Sequence, residues 1–155
     1  MGLSARAVLE QLTPIKRREL DRFILDCMPN EACGLVLVDR DGTGAVACCS
    51  NVADDGRDAA PDHSSSFRRH AYALNPMAIV DAEKQGSQVV GIWHSHVGVG
   101  AYFSDADVAG ALIDEQPAFP GVDYVVFDAQ HDGVKGFRVF RYGGDASFIE
   151  VGDEE

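Results

Sequence analysis

The stretch Ser87 to Ser95 (SQVVGIWHS) constrains the fold more than any other part of the chain. It is β-rich and apolar at alternate positions of both parities, so it reads as a strand buried on both faces. Such a strand needs packed layers on each side, which directs the chain toward an α/β architecture. A length of 155 residues suits one domain that buries roughly 70% of its unfolded surface. We therefore expect a single unit over residues 1–155, frayed at 1–13 and 152–155.

The flanking segments supply those layers. Thr13 can cap a helix, Pro14 suits its first position, and Leu20, Phe23, Ile24, Cys27 and Met28 recur at helical spacing. The helix ends at Pro29 and Asn30. Cys33 to Val38 and Thr43 to Cys49 predict a hairpin across Asp41-Gly42, a pair that tolerates positive φ. Residues 50–66, rich in Asp, Ser and Gly, predict an exposed loop, and Phe67 to Leu74 a returning strand. Asn75-Pro76 opens a helix that ends near Gly86. After a loop from Val97 to Phe103, Ser104 opens another, with Val108, Ala111 and Leu112 on one face. Val122 to Ala129 and Val134 to Tyr142 predict a second hairpin across Asp132-Gly133, and Ser147 to Val151 a short edge strand. The sum is a mixed α/β domain with a largely antiparallel sheet flanked by helices.

A formal net charge of −12 weighs against nucleic acid or an anionic membrane as partner, because both repel an acidic surface. No apolar run approaches the ~18 residues that cross a bilayer, and no charged segment followed by an apolar core opens the chain. We expect a cytoplasmic protein. Cys27, Cys33, Cys48 and Cys49 form no C-x-x-C pair, so free thiols in a reducing compartment are expected. Cys33 has no histidine partner in sequence and reads as a small buried apolar residue. Lys16, Arg17 and Arg18 read as a solvated helical turn, Trp93 as core, and His63, His70 and His131 as surface histidines.

His94, His96 and Asp107 lie within fourteen residues. Residues i and i+2 of a strand point to one face, so both imidazoles can reach one ion. Asp107, in the first turn of the next helix, could complete three protein ligands and leave a tetrahedral zinc one position for water. Each fragment has an ordinary explanation when taken alone. Ser104-Asp105-Ala106-Asp107 is a helix-capping pattern, and a lone H-x-H is commonly incidental. Glu31, between a helix and a central strand, is the candidate to move a proton at such a site, though by position alone it is a loop carboxylate.

Together these residues resemble a known family. His94-Ser95-His96, seven residues, Ser104, two residues and Asp107 match the H-x-H-x7-S-x-x-D signature of JAMM/MPN+ metalloproteases, and Glu31-Ala32-Cys33-Gly34 matches the upstream E-x-x-G. The resemblance implies a cytidine-deaminase-like, MPN-type fold with one catalytic Zn²⁺ on His94, His96 and Asp107. It further implies Glu31 as general acid/base on the metal-activated water and Ser104 as a stabiliser of the oxyanion.

Members of this family cut peptide or isopeptide bonds after the C-terminal tail of a ubiquitin-like protein, and compact prokaryotic members also process sulfur-carrier proteins. Such a partner, with an extended tail, is expected here, with residues 50–66 and 97–103 in contact with it. Val97 and Phe103 stand where prolines are common in the family, and Val38 where glycine is frequent, so the loop's shape does not carry over. The alternative is a non-catalytic MPN-type scaffold for a ubiquitin-fold partner, which the intact ligand set argues against.

Overall fold

The computed structural model describes residues 8–53 and 71–153. A six-stranded sheet runs through it in the order β2-β1-β3-β6-β7-β8. Its strands are β1 (Cys33–Val38), β2 (Gly44–Cys49), β3 (Gln88–Val97), β6 (Asp123–Gln130), β7 (Gly133–Gly144) and β8 (Ser147–Asp153). Every pairing is antiparallel except β3 with β6. Helices α1 (Pro14–Cys27), α2 (Pro76–Lys84) and α3 (Asp105–Ala111) cover the sheet. This is the mixed, mostly antiparallel α/β domain that the sequence predicts.

The doubly buried strand is β3, and the two sides of the sheet explain its composition. Trp93 packs with Leu20 and Ile24 of α1 and with Phe127 and Val139 on one side. Ile92 packs with Ile79 of α2, Ala111 of α3 and Tyr124 on the other. Strict alternation would put Val90 beside Ile92. The β1–β3 register slips between Val36 and Leu37, which leaves Val90 without a partner, and Val90 joins the Trp93 side.

Helices α1 and α2 start as the sequence indicates: Thr13 Oγ1 accepts from the Lys16 N–H, and Asn75 Oδ1 from the Met77 N–H. Arg17 is less solvated than its neighbours imply, because its guanidinium lies over the rings of Phe127 and Phe137.

Four expectations need correction. Residues 8–13 are not frayed: a helical turn spans 8–11, and Val8 is fully buried in the core. Nor does the chain fray at Gly152, which pairs with Val139 as Asp153 pairs with Arg138. The strand expected over 67–74 is absent at 71–74, where Asn51 holds a segment without regular structure instead, and 67–70 lie outside the described residues. Leu112 is not helical. It opens a small hairpin of β4 (Leu112–Ile113) and β5 (Gln116–Pro117), turned by Asp114 and Glu115 at positive φ. Most of the loop expected over 50–66, with His63 and His70, likewise lies outside the described residues.

Gly34 explains the glycine of the E-x-x-G pattern. A Cβ there would overlap the carbonyl oxygen of Ala47 and the indole of Trp93, whose Nε1 donates to that same carbonyl at 3.0 Å. Neither backbone nor a fully buried tryptophan can retreat cheaply. Gly34→Ala should therefore cost about 3 kcal/mol, read as a lower urea midpoint; an unchanged midpoint would contradict this packing.

Candidate metal centre

The register of β1 on β3 brings the site together. Cys33 lies opposite His94, and continuing that ladder two residues places Glu31 opposite His96. Two bonds hold this extension. The Ala32 N–H donates to Ser95 Oγ at 2.8 Å, and the Ser95 N–H donates to the Ala32 carbonyl at 3.0 Å. Asn51 adds a third, its Nδ2 donating to the Glu31 carbonyl at 2.9 Å. His94 and His96 lie at the end of β3, as expected, and both face the side covered by α2 and α3.

Asp107 approaches from the first turn of α3. Ser104 is the N-cap: its Oγ accepts from the Asp107 N–H at 3.1 Å, and its own N–H donates to Asp107 Oδ2 at 3.0 Å. The capping pattern is therefore real, and it also fixes the carboxylate. Asp107 Oδ1 stands 3.2 Å from His94 Nε2, Asp107 Oδ2 stands 3.0 Å from His96 Nε2, and the two Nε2 atoms are 3.2 Å apart. Donors around a tetrahedral ion with bonds of ~2.0–2.1 Å stand about 3.3 Å apart. The separations are of that size, with each histidine meeting a different Asp107 oxygen, so the two rings and this carboxylate could meet at one ion.

Glu31 is the second carboxylate at this centre. One of its oxygens and one nitrogen from each histidine lie within 4.8 Å of one another, a group that could itself hold a metal ion. The tighter contacts belong to Asp107. Glu31 is buried with 4% exposure, and its Oε1 has no hydrogen-bond partner. Two roles thus divide between the carboxylates: Asp107 is anchored by donors, and Glu31 is poised without one.

The electrostatics follow the same division. Burial works to raise Asp107, but hydrogen bonds from both histidines and from the Ser104 backbone outweigh it and hold the carboxyl well below its usual range. Burial pushes Glu31 up to about 8; His96 opposes the shift and the Asp107 charge adds to it. Burial lowers His94. It also acts to lower His96, but the bond to Asp107 and the nearby carboxylate charges reverse this, and His96 is raised. His96 Nδ1 lies 3.0 Å from the Gly100 carbonyl. A proton on Nδ1 would leave the Nε2 lone pair facing the centre, the arrangement a metal ligand needs.

A pH dependence follows from Glu31. Its folded-state pKa lies above its ordinary value of 4.5, so its contribution to stability is complete below that ordinary value and is lost as pH rises through about 8. His96 shifts in the same direction. In a chelator, the thermal midpoint should therefore fall from about pH 7 to about pH 9, and Glu31→Gln should flatten the fall. A midpoint that rises in the native chain over this range would contradict the assignment.

A cleft of about 300 Å³ opens onto the centre, lined by Glu31, His96, Val99, Tyr102, Ser104 and Ala106, among others. Asp107 also lines a mainly apolar pocket of about 340 Å³, walled by Tyr72, Leu74, Ile79, Ile92 and Phe119. The structure thus brings all five predicted residues, Glu31, His94, His96, Ser104 and Asp107, to one place. Sequence reasoning misses Asn51, Tyr72 and Gly100, whose contacts carry no spacing signature. The cysteines are free. Cys33 is buried, and burial, with neighbouring Cys49 adding, pushes its thiol up to about 12, which disqualifies it as a nucleophile. His131 is exposed.

The chain belongs to the family of prokaryotic homologs of the JAB domain, whose profile matches residues 12–132 and so includes every residue of this centre. Among solved structures it is similar to a protein from Salinibacter ruber, 26% identical with a TM-score of 0.57 over 90% of this chain and 87% of that one. It is also similar to a protein from Desulfitobacterium hafniense, 22% identical with a TM-score of 0.56 and the same coverages, a likeness that concerns the fold. A comparison with curated proteins gave no match. No helix among the described residues is long and apolar enough to cross a membrane.

Proposed function

We propose that this chain is a zinc-dependent metalloprotease that cuts a peptide or isopeptide bond after the C-terminal tail of a ubiquitin-like or sulfur-carrier protein. The observation that carries this reading is the convergence of His94, His96 and Asp107 at 3.0–3.2 Å beside a buried carboxylate with an unpartnered oxygen, Glu31. Zinc held by those three side chains would acidify a water molecule and polarise the scissile carbonyl.

The chain's own groups supply the rest. Glu31 takes a proton from the attacking water and returns it to the leaving nitrogen, a task open to a carboxylate buried beside the histidines with an unpartnered oxygen. Ser104 Oγ accepts a hydrogen bond from the Asp107 N–H, so its own proton is available to donate toward the developing oxyanion. Asp107 stays ionised throughout, and the Gly100 carbonyl keeps His96 in orientation. A non-catalytic scaffold would gain nothing from a buried carboxyl oxygen without a partner, which costs free energy. That cost favours the enzymatic reading.

The test uses the zinc-loaded chain and fusions of ubiquitin-fold proteins whose Gly-Gly tails lead into a reporter. Cleavage at the tail that stops in a chelator and returns with zinc is expected. Full cleavage in the chelator, or none with any tail, would reject the reading.

A further inference from the structure

The two histidines are held in different ways. His96 meets the Gly100 carbonyl through its outer nitrogen. His94 has no such support: its Nδ1 is buried without a partner, although the ring is wholly enclosed. A metal-ligating imidazole ordinarily has its other nitrogen bonded to a carbonyl, carboxylate or water, which fixes the ring's orientation. Something else must do this for His94, because a half-turn of the ring would exchange Nε2 for a carbon.

The nearest aromatic ring provides it. Tyr72 lies face to face with His94, the centroids 4.2 Å apart and the planes 19° from parallel. Residues 71–73 that carry it are pinned by Asn51, whose Nδ2 donates to the Ala71 carbonyl at 3.0 Å and whose Oδ1 accepts from the Ala73 N–H at 3.1 Å. Asn51 also bonds the Glu31 carbonyl, so one side chain links the segment behind His94 to the one that carries the acid/base.

We infer that Tyr72 is a positioning residue, which fixes the His94 ring by stacking in place of the hydrogen bond that His94 Nδ1 lacks. The inference rests on His94 being a zinc ligand, as proposed above. The aromatic face is the working part: an electron-rich ring against an imidazole polarised by a cation is attractive, and a rigid plane at this distance bars rotation. Tyr72 also lines the apolar pocket with Leu74 and Ile79, so an aliphatic replacement still has apolar neighbours.

Zinc affinity is to be measured by chelator competition in the full chain and in Tyr72→Phe and Tyr72→Leu. Phenylalanine should stay within about threefold of the native chain, and leucine should weaken zinc about 10- to 100-fold, the usual cost of losing a ligand's outer support. Nitrogen-15 spectra of the rings supply a second readout. In Tyr72→Leu the His94 signals should broaden or report mixed orientations while those of His96 stay sharp; a general loss of fold would disturb both rings together. Equal zinc affinity in the native chain and Tyr72→Leu, with unchanged His94 signals, would overturn this inference alone. Absence of zinc binding by the native chain would overturn the proposed function as well.

Discussion

Glu31→Gln should keep zinc and lose turnover by about 10²- to 10⁴-fold, the range over which positioned acid–base groups act. The amide preserves the size of the side chain and its fit beneath the Asn51 staple, whose bond is to the Glu31 backbone, so the segment should not move. What disappears is a titrating oxygen. In the native chain Glu31 Oε1 is buried and unpartnered beside His94 and His96, and that placement is what fits it to exchange a proton at this centre. The amide can do neither half of that exchange. Turnover and zinc content measured on the same preparation decide the matter; full turnover in the zinc-loaded variant would remove Glu31 from the chemistry.

Removing a ligand should act on the metal first. If a four-ligand zinc site is worth ~10–16 kcal/mol, each ligand carries about 3–4 kcal/mol, so His96→Ala or Asp107→Ala should weaken zinc about 10²- to 10³-fold. The two variants differ in a way that tests the geometry. Asp107 also closes the capping box on Ser104, and Asp107→Ala should cost α3 about another 1 kcal/mol even in a chelator. Asp107→Asn can still accept the Ser104 N–H, so it should recover most of that stability and little of the affinity. Competition with a chromophoric chelator gives the affinity and chelator-treated melting the stability. Tight zinc in Asp107→Ala would contradict the ligand set.

What could be read from the sequence was local. The H-x-H pair falls on a strand whose two-residue period puts both rings on one side, and Ser104 and Asp107 lie at capping distance, so neither placement needs tertiary information. Local pattern placed Glu31 only at a junction, and the family resemblance alone brought it to the centre; its approach to His96 depends on the register of β1 against β3, across more than sixty residues. Asn51 and Tyr72 were illegible for the same reason, since one staple and one stacked ring leave no periodic trace. At Val90 the bulge overrides alternation, and at Asp114 and Glu115 two non-glycine residues adopt positive φ that turn propensity alone does not announce. The ends were misread because polarity suggested fraying. Val8 nevertheless fills the core, and backbone pairing with β7 holds Gly152 and Asp153.

The central claim is that two imidazoles and the Asp107 carboxylate share one zinc ion. Anomalous diffraction at the zinc edge, from crystals of the zinc-loaded chain, tests it most directly. One ion per chain is expected, ~2.0–2.1 Å from His94 Nε2, His96 Nε2 and one Asp107 oxygen, with Glu31 outside bonding distance. An ion bound through Glu31 in place of Asp107, or no ion between the histidines, would contradict it.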